Sequence, residues 1–316
     1  LSLACDPPRP ARPVGPRAAG GITLHSWFDL PDDPRARELS GIGWDDASRT
    51  LFAVQDETPH IVPLHADADL RTWRYGERIK VESEPLDLEG IVVLPDGFVV
   101  CSEIGPRILE VDRAGHFRRE IALPAKFSEA TKNKSLESLA MSPDARYLFT
   151  TSEAGLPRDG PHVRILRIDR TTGEYVEHAY AEDRLVRPDQ DYGIADLAAL
   201  SSEDLLVLER GWTKGIGNSV RIYRVNLADT ASVCGAVERL GDLAVLPKTL
   251  FLDLATVPVP PGLPPVKQPQ ASPLLDNFEG LTIGPRLADG RRALFLVSDD
   301  NARSDQFARV LVLAFG

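Results

Sequence analysis

Five segments of the chain repeat one pattern, and that repetition limits the folds open to it more than any other feature. They are "LSGIGWDDASRTLFAVQDE" from Leu39, "LEGIVVLPDGFVVCSE" from Leu88, "LESLAMSPDARYLFTTSE" from Leu136, "IADLAALSSEDLLVLER" from Ile194 and "FEGLTIGPRLADGRRALFLVSDD" from Phe278. Each has an apolar arm, a turn containing Pro, Asp, Gly or Ser, and a second apolar arm. Such turn residues supply the φ values and local hydrogen bonds that chain reversals need. The arms are short and rich in Val, Ile, Leu and Phe, as strands buried on both faces are. The pattern predicts five β-hairpins.

Ser40, Glu89, Glu137, Asp196 and Glu279 occupy matching places in the first arms, at spacings of 49, 48, 59 and 83 residues. A period near fifty residues is that of a four-stranded propeller blade. Further strands fit the intervals, among them "RILEVDR", "VRILRID" and "SVRIYRVNL". The reading is an all-β propeller over residues 21–316. The spacing points to six blades, with five or seven also compatible, because the longest interval has room for a degenerate blade or an insertion. The proline-rich stretch "TVPVPPGLPPVKQPQASP" from Thr256 to Pro273 occupies part of it and favours an extended surface loop. "GITLHSWFDL" and "ARVLVLAFG", near the two ends, are expected to pair and close the ring, which removes two exposed sheet edges.

In an antiparallel hairpin the start of the first strand lies beside the end of the second. Acids stand at both places: Glu89 with Glu103, Glu137 with Glu153, Asp196 with Glu209, and Glu279 with Asp299 and Asp300. The first hairpin has Ser40 at its start and Asp56 and Glu57 at its end. If these hairpins are the innermost strands, the acids meet around one mouth of the central channel. Converging anions are unfavourable unless they take up protons or bind cations. A hard divalent cation such as Ca²⁺, with about six to eight oxygen ligands, suits them. Glu89, Glu103, Glu137, Glu153, Asp196, Glu209, Glu279, Asp299 and Asp300 are therefore candidate metal ligands, and each one alone also reads as a solvated strand-end residue. Lys134, Arg210, Arg107 and the loop "GWTKGIGN" with Lys214 fall on the same face. They can grip an anion or simply neutralise the acids. No HExxH, GxSxG or P-loop occurs, so zinc-protease, serine-hydrolase and nucleotide-binding readings find no support.

The sequence carries 47 acidic against 36 basic residues, a formal charge of -11, which argues against a nucleic-acid partner. No run approaches the roughly eighteen apolar residues of a membrane span. Three cysteines, Cys5, Cys101 and Cys234, are too few and too scattered for a disulfide framework. Cys101 lies in an apolar strand and reads as a buried thiol. "LSLAC" resembles the end of a bacterial lipoprotein signal, and "DPPRPARPVGPRAAGG" after it has the composition of an unpacked tether. Residues 1–20 are accordingly expected to be a tether with a lipid anchor at Cys5. The protein is then exported: periplasmic, anchored to the outer membrane, or secreted.

"NFEGLTIGP", "DGRRALFLVSDDN", "SLESLAMSPDARYLFTTSEAG" and "LLVLERGWTKGIGNSVRIYRVNL" resemble the phytase-like family described by an esterase-like activity of phytase. The resemblance runs from about Gly41 to Phe315. It implies an exported bacterial β-propeller, a phosphoester hydrolase activity on a small anionic ester and, through looser similarity to calcium-dependent propeller phytases, Ca²⁺ at the channel mouth. In that reading Glu89, Glu137 and Glu279 carry catalysis, and Lys134, Arg210, Lys214 and Asn301 bind substrate. Ser40, where four other hairpins have an acid, makes the ring asymmetric. Few lysines are at hand for phytate itself. Two other readings stay open: a lactonase or carboxylester hydrolase on the same fold, and a non-catalytic binding or scaffold propeller. A monomer is expected.

Overall fold

All five repeats form β-hairpins, and each hairpin is the inner half of a blade. The computed structural model describes residues 21–56, 58–83, 86–183, 190–230, 233–234, 238–264, 268–303 and 305–316. The expected tether with Cys5, and Glu57, lie outside them. Blade 1 contains Leu39–Asp45, Thr50–Gln55 and His60–Ala66, with Trp73–Tyr75 and Ile79–Lys80 at its outer edge. Blade 2 contains Leu88–Leu94, Gly97–Ser102, Arg107–Asp112 and Phe117–Ile121. Blade 3 contains Leu136–Met141, Tyr147–Ser152, His162–Asp169 and Tyr175–Ala181. Blade 4 contains Gln190–Ala199, Asp204–Thr213, Gly217–Asn226 and Lys248–Asp253. Blade 5 contains Asn277–Arg286, Arg292–Asp299 and Arg309–Phe315, and its fourth strand is Thr23–Asp29 from the other end of the chain.

The architecture is thus the expected all-β propeller, with five blades where the spacing pointed to six. Among the described residues, the long interval before the fifth hairpin holds no further blade. Gly217–Asn226 and Lys248–Asp253 complete blade 4, Val233–Cys234 reaches back to extend blade 3, and the described parts of 254–276 form a connection with a single 3-10 turn, Leu254–Thr256. No helix among the described residues is long and apolar enough to cross a membrane.

Apolar clusters fill the interfaces between neighbouring blades. Phe52 and Phe98 meet edge to face, ring centroids 4.9 Å apart, between blades 1 and 2. Leu208, Leu281 and Leu296 pack between blades 4 and 5. Alternate residues of each middle strand thus face opposite neighbours, and both faces are apolar. The terminal strands pair antiparallel, from Thr23 opposite Ala314 to Asp29 opposite Arg309. Arg309 is fully buried there, donating from Nε and Nη2 to the two Asp29 carboxylate oxygens at 2.5 and 3.1 Å. This closure is the one the sequence led us to expect.

Candidate active site at an acidic channel mouth

The five innermost strands adjoin one another in a closed circle around the axis. Every one of them contains a β-bulge near its mouth end. In blade 2 Leu88 pairs with Ser102 and Gly90 with Cys101, so Glu89 is the extra residue. Glu137 and Glu279 are extra residues in the same way in blades 3 and 5. A bulge leaves one residue out of the ladder and re-aims its side chain. Here it turns three glutamates toward the axis, where each is buried.

Asp196 differs. The bulge of blade 4 falls on Ala195, between Ile194 opposite Glu209 and Asp196 opposite Leu208. Ala195 therefore matches the three glutamates, and Asp196 lies one residue deeper, level with Gly90, Ser138 and Gly280. The matching of Asp196 with the glutamates in the sequence is off by one residue. Gly90 and Gly280 leave no room for a side chain: a Cβ on Gly90 would sit 2.7 Å from the Leu139 nitrogen, and one on Gly280 would sit 2.8 Å from the Ser40 carbonyl oxygen. The Asp196 carboxylate accepts the Leu281 N–H at 2.7 Å and the Leu197 N–H at 2.8 Å, and the backbone amides of Leu139 and Ile42 add to the field that favours its charged form. The inner strands of blades 4 and 5 are thereby tied by one side chain. Burial pushes the Asp196 pKa up, against these N–H groups, which favour the charged form. Asp196 is a bolt across the axis below the mouth.

Above it the mouth divides in two. On the side of blades 3 to 5, Arg210 Nη2 lies 3.0 Å from Glu279 Oε1, 3.5 Å from Glu153 Oε1 and 3.9 Å from Glu137 Oε1. Lys134 Nζ bridges Glu153 Oε1 and Asp191 Oδ1, both at 2.7 Å. Asn277 Nδ2 donates to Glu279 Oε1 at 2.9 Å and to Asp299 Oδ2 at 3.3 Å. Burial pulls the Arg210 pKa down, but the surrounding glutamates more than offset it and hold the guanidinium charged.

On the side of blades 1 and 2 the acids meet a hydroxyl. Ser40 Oγ donates to Glu89 Oε2 at 2.8 Å, so the inner strand that carries a serine in place of an acid near its start supplies a donor to its neighbour's carboxylate. Asp56, Asp87 and Glu89 each present a carboxylate oxygen within 4.8 Å of the others. Burial, then Asp56 and Glu279, push the Glu89 pKa well above the carboxylate range. Burial with Glu89 and Glu153 does the same to Glu137, and burial with Glu279 to Asp299.

The remaining predicted residues stand apart. Glu103 accepts the Ser135 N–H at 2.9 Å, between blades 2 and 3, and its own N–H donates to the Asp87 carbonyl. Glu209 is buried between blades 3 and 4, accepting from the Tyr180 hydroxyl at 2.5 Å, the Tyr192 hydroxyl and Lys248 Nζ at 2.6 Å. Asp300 caps a turn, accepting the N–H groups of Glu38 and Ala302, both at 3.1 Å. Asn301 is exposed with φ 48°, its N–H on Asp299 Oδ1 at 2.7 Å. Lys214 is exposed in the turn above blade 4. Arg107 pairs with Glu120 at 3.2 Å. Cys101 is buried, its Sγ 3.7 Å from the Ser138 carbonyl oxygen. Asp87 was missed because it precedes the hairpin. It is two residues before Glu89, the spacing that puts extended residues on one side of the chain, and "DLEG" carries that signal.

The donor set suits a hard cation: oxygens only, with no His or Cys among Asp56, Asp87 and Glu89, and spread no wider than the coordination sphere of a calcium-sized ion. Fold and site together define an all-β, five-bladed propeller with buried carboxylates around one mouth. The chain belongs to the phytase-like family, described as esterase-like activity of phytase, whose model matches residues 34–302. Comparison with curated proteins gives no match. Among solved structures, a luciferin-regenerating enzyme is similar at 15% identity and TM-score 0.46, covering 94% of this chain and 97% of that one. The PQQ-bound aldose sugar dehydrogenase of Streptomyces coelicolor is similar at 12% identity and TM-score 0.49, covering 96% and 100%. A nidogen–laminin complex is similar at 12% identity and TM-score 0.46, covering 88% and 86%. At these identities and scores no activity is carried over.

Proposed function

We propose that the protein is an exported hydrolase of phosphoesters that works at this mouth with a bound Ca²⁺ ion. The observation that carries the reading is the trio Asp56, Asp87 and Glu89, whose oxygens lie within 4.8 Å of one another beside the buried glutamates. These three would hold the ion. It would supply positive charge to a phosphoryl oxygen and lower the pKa of water. Glu137, buried at the mouth with its pKa raised by that burial, is placed to act as general acid toward a leaving oxygen. Arg210 and Lys134 hold the opposite wall and orient the substrate's other oxygens. The test is release of phosphate from phytate and from an aryl phosphate, with Ca²⁺ and with chelator, for the native protein and Glu89→Gln. Calcium-dependent turnover abolished by the substitution is expected. Absence of turnover in every arm removes this reading and leaves the ion a structural role.

A second reading, hydrolysis of a carboxylic ester or lactone, is favoured by the state of Arg210. It already faces three carboxylates, which leaves little positive charge for a phosphate dianion. A panel of lactones and aryl carboxylic esters under the same conditions separates the two. Lipid attachment at Cys5 belongs to the same proposal, and metabolic labelling with a fatty acid tests it.

A further inference from the structure

Blade 4 rises above the mouth. Gln190–Ala199, Asp204–Thr213 and Gly217–Asn226 are each ten residues long and continue past Arg210 toward the turn at Lys214. Their pairing is regular there, with Arg210 opposite Val220 and Trp212 opposite both Asn218 and Asp191. Residues two apart on a strand, and residues directly opposite across a ladder, share a face. Arg210, Trp212, Asn218 and Asp191 therefore lie on one face, and Arg210 and Asp191 carry it to the mouth through Glu279 and Lys134.

Three features of that face are unexplained by folding alone. Trp212 is 39% exposed, a large apolar ring left open to solvent beside the charged mouth. Asn218 is 7% exposed, yet its buried Nδ2 has no partner among the described residues. The buried Nε of Arg210 likewise has none. Buried donors without acceptors cost stability, and an exposed indole gains by being covered. The face is held in place by the connection from blade 4 to blade 5: the Asn218 N–H donates to Gln270 Oε1 at 2.6 Å, and Gly217, with φ 99°, leaves room for Pro269 and Gln270 where a side chain would collide.

We infer that this face is a substrate shelf on which Trp212 covers an aromatic or other flat apolar group, while Asn218 Nδ2 and Arg210 Nε donate to oxygens attached to it. The inference rests on the mouth being an ester-hydrolase site only in naming the substrate class: an ester with a flat apolar portion, such as an aryl ester or aryl phosphate. A fully ionic polyphosphate offers Trp212 nothing to cover.

Two non-hydrolysable probes, phenylphosphonate and methylphosphonate, test it by calorimetric titration in calcium-containing buffer. They share their oxygens and differ in the ring. The native protein is expected to bind the phenyl compound about tenfold more tightly, a gain appropriate to one aromatic contact. Trp212→Ala brings the ratio to near one, Trp212→Phe keeps most of it, and Asn218→Ala weakens both probes alike; unchanged melting curves confirm that each variant folds. A ratio near one in the native protein, or one that Trp212→Ala leaves intact, overturns the shelf. Ring-selective binding without turnover of any ester keeps the shelf and removes the hydrolase reading. Turnover without ring preference does the reverse.

Discussion

Asp196, on the innermost strand of blade 4, accepts the backbone N–H of Leu281, on the innermost strand of blade 5, at 2.7 Å within the core of the channel. With the Leu197 N–H also donating to it at 2.8 Å, one carboxylate replaces the water that two buried amides would otherwise need. Asp196→Ala removes that acceptor from both. Each buried unsatisfied donor costs about 1–3 kcal/mol, and relaxation shares the loss. We expect a loss of about 3–5 kcal/mol in urea unfolding. A loss below about 1 kcal/mol would show that the amides find other partners.

Arg210 balances three glutamates, so Arg210→Met leaves buried charge uncompensated. Removing one partner from a buried ionic cluster typically costs about 3–5 kcal/mol. The expected result at pH 7 is a loss of that order together with loss of any ester turnover. Partial recovery of stability as the pH is lowered and Glu137 and Glu279, whose pKa values are raised, take up protons distinguishes lost charge balance from lost packing.

The pH dependence has a definite sign. Glu89, Glu137, Glu279 and Asp299 all have folded pKa values raised, chiefly by burial, and Asp276 is pushed up by burial to about 6. Between the ordinary carboxylate value near pH 4 and the raised folded value, the native state binds more protons than the unfolded state, so stability falls as pH rises. For Asp276 that loss is complete just above pH 6. In calcium-free buffer the melting temperature is expected to increase from pH 8 to about pH 5.5. A flat or opposite trend would mean that the mouth acids are ionised without cost.

Calcium acts on the same groups from the other direction. Added Ca²⁺ is expected to raise the melting temperature and flatten its pH dependence, with protons released on binding. At a hundredfold excess over Kd the gain is about 2.7 kcal/mol. Asp87→Asn weakens calorimetric Ca²⁺ binding by about tenfold or more, since one charged ligand is lost from a site of few. Equal binding by this variant and the native protein would place the ion elsewhere.

The hairpins were legible because apolar arm, turn and apolar arm recur in every blade, a pattern that needs no tertiary information. Blade number was not, because the residues between Asn226 and Asn277 are divided among two blades and a connection, a division set by packing rather than by local pattern. Asp196 was misaligned because matching acid to acid hides the bulge. The layer of small residues Gly90, Ser138 and Gly280 fixes the true register, and only the close approach of inner strands explains it. Glu209 reads like its counterparts by position, yet Tyr180 and Lys248, distant in sequence, enclose it. The buried Arg164, paired with Asp159 at 2.6 Å and Glu177 at 3.0 Å, was also invisible: in "VRILRID" it looks like an outward-facing charge.

Because Thr23–Asp29 is the outer strand of the blade that also contains Glu279 and Arg309, synthesis of the chain cannot finish the circle until Arg309–Phe315 has emerged. Until then Glu89 and Glu137 can stay hydrated and apart from Glu279. Once the circle is closed, Arg210 and Lys134 stand among them and offset their crowding.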